Sequence, residues 1–199
     1  MGTANQRACI ARASKLLEKV TPLGADCGKL CEKACCQGDD KTGMWLLPGE
    51  AELLGNIEGF NIQPCQDNTG FPLLVCDGKC IRKYRPFACR IYPFFPLVIE
   101  QEPGCQEVEI ICDPRAGSCP LAQYSLLQKK DSEGIPELGV IGFYTVPVYR
   151  GGMTMEFRVK LRRAAHILLA DREIRQYLLD TSRFLMEMAE LRQKIGIVG

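Results

Sequence analysis

The sequence predicts an α+β fold, in which a small, irregular cysteine domain with short strands lies between an N-terminal helix and a C-terminal helical segment. Apolar residues recur at helical spacing over 4–20 and again after Glu156. Between these ends, short β-prone runs alternate with Pro and Gly, and all 12 cysteines lie between Cys9 and Cys119. The predicted segments are an N-terminal helix at 1–24, the cysteine domain at 25–121, and at 122–199 a β-hairpin-like segment with C-terminal helices packed on the same domain.

Local patterns predict where the helices begin and end. The apolar face of the first helix is predicted to consist of Ala8, Ile10, Ala11, Leu16, Leu17 and Val20. A short helix should open at Pro48-Gly49-Glu50 and end at Gly55, because Pro suits a first helical turn and Glu favours the N-terminal end of the helix dipole. Asp180-Thr181-Ser182 resembles an N-cap and predicts a last helix from there to Lys194.

Short runs of β-prone residues predict the strands, which fall at 71–76, 97–100, 107–112, 140–146 and 148–150. Apart from these runs, 56–120 is rich in Pro, Gly and Cys and is predicted to lack long regular elements. Such a stretch builds little hydrophobic core of its own and needs cross-links, such as bound metals or disulfides, to hold it together. The cysteines are expected to supply them.

Composition bounds the class of protein. Hydrophobic residues make up 46% of the chain and charged residues 25%, with a net charge of +1, so no strong field favours nucleic acid or a membrane surface. The N-terminus carries no apolar stretch of signal-peptide length, and the apolar run at 91–99 is too short to span a membrane. We therefore expect a cytoplasmic protein, in which clustered cysteines are metal ligands or catalytic thiols more often than disulfides.

The first cysteine cluster reads Cys27-x3-Cys31-x3-Cys35-Cys36. In a helix, Cys27, Cys31 and Cys35 would share one stripe, because steps of four residues nearly complete a turn. Cys36 would lie about 100° further round. A single buried cysteine is an ordinary core residue, but four thiols within ten residues, with Lys and Glu between them, indicate a ligand set.

The second cluster runs from Cys76 through Cys80 to Cys89. Gly78 between the first two lets backbone N–H groups turn toward sulfur, which stabilises thiolate sites. Thiolates around zinc or an iron–sulfur cluster leave net negative charge, and basic neighbours would offset it and favour the thiolate form. Those neighbours are Lys79, Arg82, Lys83, Arg85 and Arg90.

A third group comprises Cys105, Cys112 and Cys119. The loop from Cys112 to Leu121 is expected to return a ligand to the cluster. The weakest candidates are Cys9, Cys65 and Cys105. His166 lies on a predicted helix far from the cysteines and is interpreted as a core or helix-surface residue.

The spacing of the cysteines does not distinguish zinc from an iron–sulfur cluster. Zinc takes four sulfur or nitrogen ligands, often as two close pairs. An iron–sulfur cluster also takes four, often three close and one distant. The predicted metal ligands outnumber the four that one such site requires, so the chain could also hold two sites. These predicted ligands are Cys27, Cys31, Cys35, Cys36, Cys76, Cys80, Cys89, Cys112 and Cys119.

These motifs resemble the YkgJ-type cysteine cluster family, described as zinc- or iron-chelating CxxCxxCC proteins. Three features carry the resemblance, over roughly 25–121: the cluster ending in Cys35-Cys36, the segment from Gly43 to Glu50, and the run from Cys76 through Tyr84-Arg85-Pro86 to Cys89-Arg90-Ile91-Tyr92-Pro93. The first motif departs from the family in having gaps of three residues instead of two. The ligands that the resemblance implies are Cys27, Cys31, Cys35, Cys36, Cys76, Cys80 and Cys89, with Cys119 or Cys112.

The resemblance implies a metal-binding protein holding zinc or an iron–sulfur cluster such as 4Fe–4S, with its reaction unidentified. The cysteine region is also similar to that of flagellin lysine N-methylases, which implies a cluster used with S-adenosylmethionine, although no motif in this chain supports that cofactor. The alternatives are therefore a cluster-dependent protein-modifying enzyme and a zinc-stapled interaction module. A protein partner or protein substrate is expected in each case, without nucleic acid and without a membrane.

Overall fold

The computed structural model describes residues 2–23, 32–36, 43–64, 71–76, 78, 81–102, 104–116, 119 and 153–194. This part of the chain has an α+β fold with helices toward both ends and short antiparallel strands between them, as the sequence predicts. Its α-helices are α1 (Ala4–Leu16), α2 (Glu50–Leu54), α3 (Phe87–Ile91), α4 (Met155–Leu168) and α5 (Arg172–Lys194). Its strands are β1 (Met44–Trp45), β2 (Phe60–Gln63), β3 (Leu73–Cys76), β4 (Phe94–Glu102) and β5 (Cys105–Cys112).

Helix α1 begins at a capping box. The Thr3 hydroxyl accepts a hydrogen bond from the Gln6 backbone, while the Gln6 side chain accepts one from the Thr3 backbone. The buried face differs from the predicted one, since Ala8 and Ala11 are exposed. The buried positions are Gln6, Cys9, Ile10, Ala13, Leu17 and Val20. Exposing alanine costs little, so the larger side chains set the orientation of the helix.

Three short strands form an antiparallel sheet in the order β1-β3-β2. Strand β3 realises most of the predicted run at 71–76, whereas β2 was not predicted. The short helix α2 follows β1 as expected. Gly49 precedes it and Gly55 ends it, with φ of 81° and 53°, in the left-handed region that glycine adopts at no steric cost.

Strands β4 and β5 form a long hairpin. They pair from Phe94 with Cys112 to Glu102 with Cys105, with one irregularity near the turn. The prediction that 56–120 lacks long regular elements is therefore wrong over this stretch, and the predicted strands at 97–100 and 107–112 are parts of the two longer ones. The first five residues of β4 are all buried, so the strand could not show the alternation that marks a half-exposed strand.

The two C-terminal helices begin at side-chain caps. Thr154 accepts a hydrogen bond from the Phe157 backbone at the start of α4. The Asp171 carboxylate caps the first turn of α5, where it accepts hydrogen bonds from the backbone N–H groups of Glu173 at 3.1 Å and Ile174 at 3.2 Å.

The predicted N-cap at Asp180-Thr181-Ser182 is wrong, because α5 runs unbroken through it. Ser182 is 0% exposed. Its hydroxyl donates to the Leu178 carbonyl at 2.6 Å and accepts from the Val98 backbone N–H at 2.8 Å. The hydroxyl therefore joins α5 to the hairpin instead of opening a helix.

One buried apolar cluster joins the N-terminal helix, the hairpin and the C-terminal helices. It includes Ile10 of α1, Phe87 of α3, Leu97 of β4, Phe157 of α4 and Leu178 of α5. The core therefore draws on all three predicted segments of the chain. The predicted strands at 140–146 and 148–150 lie outside the described residues. Among the described helices, none combines the length and apolar character needed to cross a membrane.

Candidate metal site

Four of the predicted ligand cysteines line one cavity of about 350 Å³. Cys35 and Cys36 lie in a short 3₁₀ helix, Ala34–Cys36, and Cys76 is the last residue of β3. Cys89 lies in α3. Three segments that are far apart in sequence therefore bring thiols to the same cavity.

A sharp turn presents Cys36 to the rest of the cavity. Glu32 and Lys33 have φ of 51° and 60°, in the left-handed region that few non-glycine residues adopt. The Cys36 backbone N–H donates to the Lys33 carbonyl at 2.7 Å and closes the turn. Such strain persists where the surrounding structure enforces it, often at functional sites.

The two cysteine clusters are in direct contact. Lys33 Nζ donates a hydrogen bond to the Gly78 carbonyl at 3.2 Å. Gly78 has a φ of 75°, and a Cβ at this position would lie 3.5 Å from the Cys36 Cβ. Gly78, inside the Cys76–Cys80 motif, thus packs against Cys36.

The Cys36 thiol is acidic. Its pKa is lowered from 9.0 to about 6, chiefly by a hydrogen bond with Cys35, whose Sγ lies 3.9 Å away. The charges of Arg85 and Lys33 and a hydrogen bond with Cys76 lower the pKa further, while partial burial opposes them. A large fraction of Cys36 is therefore thiolate at neutral pH, the form that binds metal.

Two basic residues that were expected to act together have separate roles. Arg85 contributes positive charge at Cys36, as predicted. Arg90 is buried and donates to the carbonyls of Arg85 at 2.8 Å and Lys83 at 2.7 Å, so it holds the backbone before α3. Lys33 was not among the predicted basic neighbours, because it belongs to the first cluster and reaches the second only through the tertiary fold.

A buried carboxylate holds the start of α3 and so helps to position Cys89. Glu50 is 2% exposed and accepts hydrogen bonds from the backbone N–H groups of Phe87 at 2.6 Å and Leu47 at 3.0 Å. Burial raises its pKa, and these hydrogen bonds oppose the rise. The sequence pattern predicts only a favourable first-turn position for Glu50 in α2, not this long-range contact.

Cys112 and Cys119 form a separate group. They pack with Ala116 and Tyr92, and neither lines the cavity that holds the other four described candidates. Burial, with the nearby charges of Asp113 and Cys119, raises the pKa of Cys112 to about 12. Cys112 is therefore protonated at neutral pH when no metal is bound.

Cys27, Cys31, Cys65 and Cys80 lie outside the described residues, and so does the predicted stripe along 27–35. Within the part of the chain that the structure describes, no three His, Cys, Asp or Glu side chains are arranged to hold a metal ion. Cys9 is buried in the core and Cys105 is exposed at the hairpin turn, away from the cavity. His166 lies on the exposed surface of α4, as interpreted from the sequence.

The same cavity has an aromatic part and a salt bridge that the sequence pattern did not predict. Trp45, Phe95 and Tyr177 line it together with Asp113 and Arg115. These residues come from β1, β4, α5 and the turn after β5. The Asp113-Pro114-Arg115 sequence carries a signal for a charge pair two residues apart, but the loop that contains it is predicted only to return a ligand to the cluster.

No protein-family model matches the chain, and neither a curated protein nor a solved structure matches it. The chemistry of the cavity is therefore the basis for assigning a function.

Proposed function

We propose that this protein binds zinc or an iron–sulfur cluster through cysteine thiolates at the cavity. The proposed ligands among the described residues are Cys35, Cys36, Cys76 and Cys89. Cys27, Cys31 and Cys80 are proposed to complete the set from adjacent segments. The observation that carries the proposal is that four cysteines chosen from spacing alone line one cavity, one of them with a pKa lowered to about 6.

The donor set fits this group of metals. Thiolates select zinc and iron–sulfur clusters over hard cations such as Mg²⁺ and Ca²⁺. Arg85 and Lys33 would offset negative charge at Cys36, and such neighbours tune a metal site. Cys112 and Cys119 were also predicted as ligands, but neither lines this cavity, so they are not part of the proposed ligand set.

The open cavity supports a reactive site over a purely structural one. Structural zinc sites are closed by their four protein ligands, at about 2.3 Å for each sulfur. A cavity of about 350 Å³ extends well beyond one such ion, from Cys36 to Tyr177. This favours a cluster-dependent modifying enzyme as the second candidate function. Nothing comparable supports the zinc-stapled interaction module.

The expectations drawn from the sequence about the metal, the compartment and the partner remain part of the proposed function. The motif resemblance to the YkgJ-type cysteine cluster family supports iron or zinc as the metal. A reducing cytoplasm would keep the clustered thiols available to bind it. A protein substrate or partner is part of the proposal for the modifying enzyme, whereas S-adenosylmethionine has no support in the described residues.

Anaerobic purification of the full chain followed by metal and sulfide analysis tests the proposal. Iron with matching sulfide and a brown colour would identify an iron–sulfur cluster, and colourless protein with stoichiometric zinc would identify zinc. Cys36→Ser and Cys89→Ser should each lose most of the metal, while Cys105→Ser, at an exposed site away from the cavity, should retain it. Metal-free wild-type protein, or equal loss in all three variants, would refute the proposal.

A further inference from the structure

The guanidinium group of Arg115 is fixed in the cavity wall. It donates from Nε to Asp113 Oδ1 at 2.9 Å and from Nη2 to Asp113 Oδ2 at 2.6 Å. The Arg115 backbone N–H also donates to Oδ1 at 2.8 Å. Its central carbon lies 5.7 Å from the Trp45 ring centroid and 5.6 Å from that of Phe95. Asp113 and the two rings therefore fix both the plane and the position of the group.

One edge of this guanidinium has an open donor position with respect to the described residues. The group carries five N–H donors, and Asp113 uses one on Nε and one on Nη2. Among the described residues, no acceptor is recorded for Nη1. The remaining Nη1–Nη2 edge has the same fork geometry as the edge that binds Asp113, so it matches a second carboxylate.

The residues around Arg115 indicate the chemical character of the rest of the ligand. Asp113 balances the charge of Arg115 through both of its oxygens. The cavity that Arg115 and the cysteines share is lined mainly by aromatic and aliphatic side chains, including Leu74, Phe95 and Leu178. Its volume of about 350 Å³ lies within the range of small-molecule sites.

We propose that this cavity binds a small carboxylate with an apolar body, whose carboxylate pairs with the Nη1–Nη2 edge of Arg115 and whose body points toward the cysteines. This deepens the proposed function by naming the ligand class of the same cavity, and it rests on that function for a metal at the cysteine end. Recognition of the carboxylate depends on Arg115 and needs no bond to the metal.

Trp45 reports binding directly, because it is the only tryptophan in the chain and lines the cavity. Phenylpropionate is titrated into the full-length, metal-loaded protein while tryptophan emission is recorded. Phenylpropanol and phenylpropylamine serve as matched neutral and cationic probes. We expect saturable changes with phenylpropionate and at least about tenfold weaker binding of the other two, the range of one charged hydrogen bond. Equal binding of all three, or no saturable change, would overturn the proposal without any mutation.

Arg115→Gln should weaken phenylpropionate binding by about tenfold or more. Arg183→Gln is the matched control, because its side chain is 67% exposed and lies away from the cavity. If Arg115→Gln is unstable, the comparison of the three probes on wild-type protein still decides the matter. Phenylpropionate binding that requires metal but is unchanged in a folded Arg115→Gln variant would show that the carboxylate binds the metal. That result would overturn the proposed role of Arg115.

The two proposals fail in different ways. Selective carboxylate binding by protein that never holds metal would refute the metal proposal and support the Arg115 site. Protein that holds metal but does not distinguish the three probes would refute the Arg115 site alone.

Discussion

Glu50 Oε1 accepts a hydrogen bond from the backbone N–H of Phe87 at 2.6 Å, across 37 residues of sequence. The other carboxylate oxygen accepts from Leu47 N, so one buried side chain joins the segment after β1 to the first turn of α3. Because α3 carries Cys89, this contact sets where that thiol lies relative to Cys36 and Cys76.

Glu50→Gln should lower the free energy of unfolding by about 1–3 kcal/mol, because an amide replaces one of the two acceptors with a donor that faces a backbone N–H. Urea denaturation of the metal-free protein measures the change. Glu52→Gln in the same helix is the control, since Glu52 is exposed. An equal effect of the two substitutions would mean that the buried hydrogen bonds of Glu50 add nothing to the free energy of unfolding.

Cys36 should react with iodoacetamide faster than Cys112 in metal-free protein at pH 7. Its pKa is about 6, whereas burial raises the pKa of Cys112 to about 12, and only the thiolate reacts. Peptide mass mapping after brief alkylation measures both sites. Faster modification of Cys112 than of Cys36 would contradict the electrostatic environment described above.

The same pKa predicts how stability depends on pH. Because the folded pKa of Cys36 is lowered from 9.0 to about 6, the unfolded chain binds more protons between these values. The free energy of unfolding of the metal-free protein should therefore rise with pH across this interval, and the contribution should be lost as pH falls through about 6. Cys36→Ser should remove this contribution from the pH profile.

Arg85→Met should raise the pKa of Cys36 and weaken metal retention by about tenfold, as for other groups that tune a metal site from beside it. Removing a positive charge disfavours the thiolate, while Met keeps much of the apolar stem. The alkylation pH profile and competition with a chelator measure the two effects. Arg183→Met, on the exposed face of α5, should change neither of them.

Removing the metal should loosen 32–36 and 71–76 while α1, α4, α5 and the hairpin persist. The buried core of α1, β4, β5, α4 and α5 includes none of the four cavity cysteines, whereas metal binding contributes to the folding of the segments that carry its ligands. Hydrogen exchange before and after strong chelation measures this. An unchanged exchange pattern and melting curve would contradict a metal held by these segments.

Ser182→Ala should destabilise the protein by about 1–3 kcal/mol, because it leaves the buried Val98 N–H without its acceptor. Thermal unfolding measures the loss. Thr154→Ala offers a comparison, since a helix cap contributes about 1 kcal/mol and borders solvent. A neutral Ser182→Ala would show that the hairpin N–H finds another partner.

Much of the local structure could be predicted from the sequence. The helices near the two ends follow from apolar spacing, α2 follows from Pro48 and Gly55, and the proposed ligand cysteines were chosen from their clustering. The errors arose where a tertiary contact overrides a local pattern. Asp180-Thr181-Ser182 has the composition of a cap, but Ser182 faces Val98 of the hairpin, and the helix continues because the apolar face of α5 packs on the core.

The sequence by itself determined the α+β class, the helical ends and the set of cysteines, because these depend on spacing between neighbours and on the chemistry of single residue types. Only the tertiary structure decided that Cys36 and Cys89 share a cavity while Cys112 lies apart, that Lys33 contacts Gly78, and that Arg115 lines the same cavity as the thiols. Such relationships join residues tens of positions apart. They exist because burying the apolar faces of helices and hairpin in one core fixes where the polar groups between them meet.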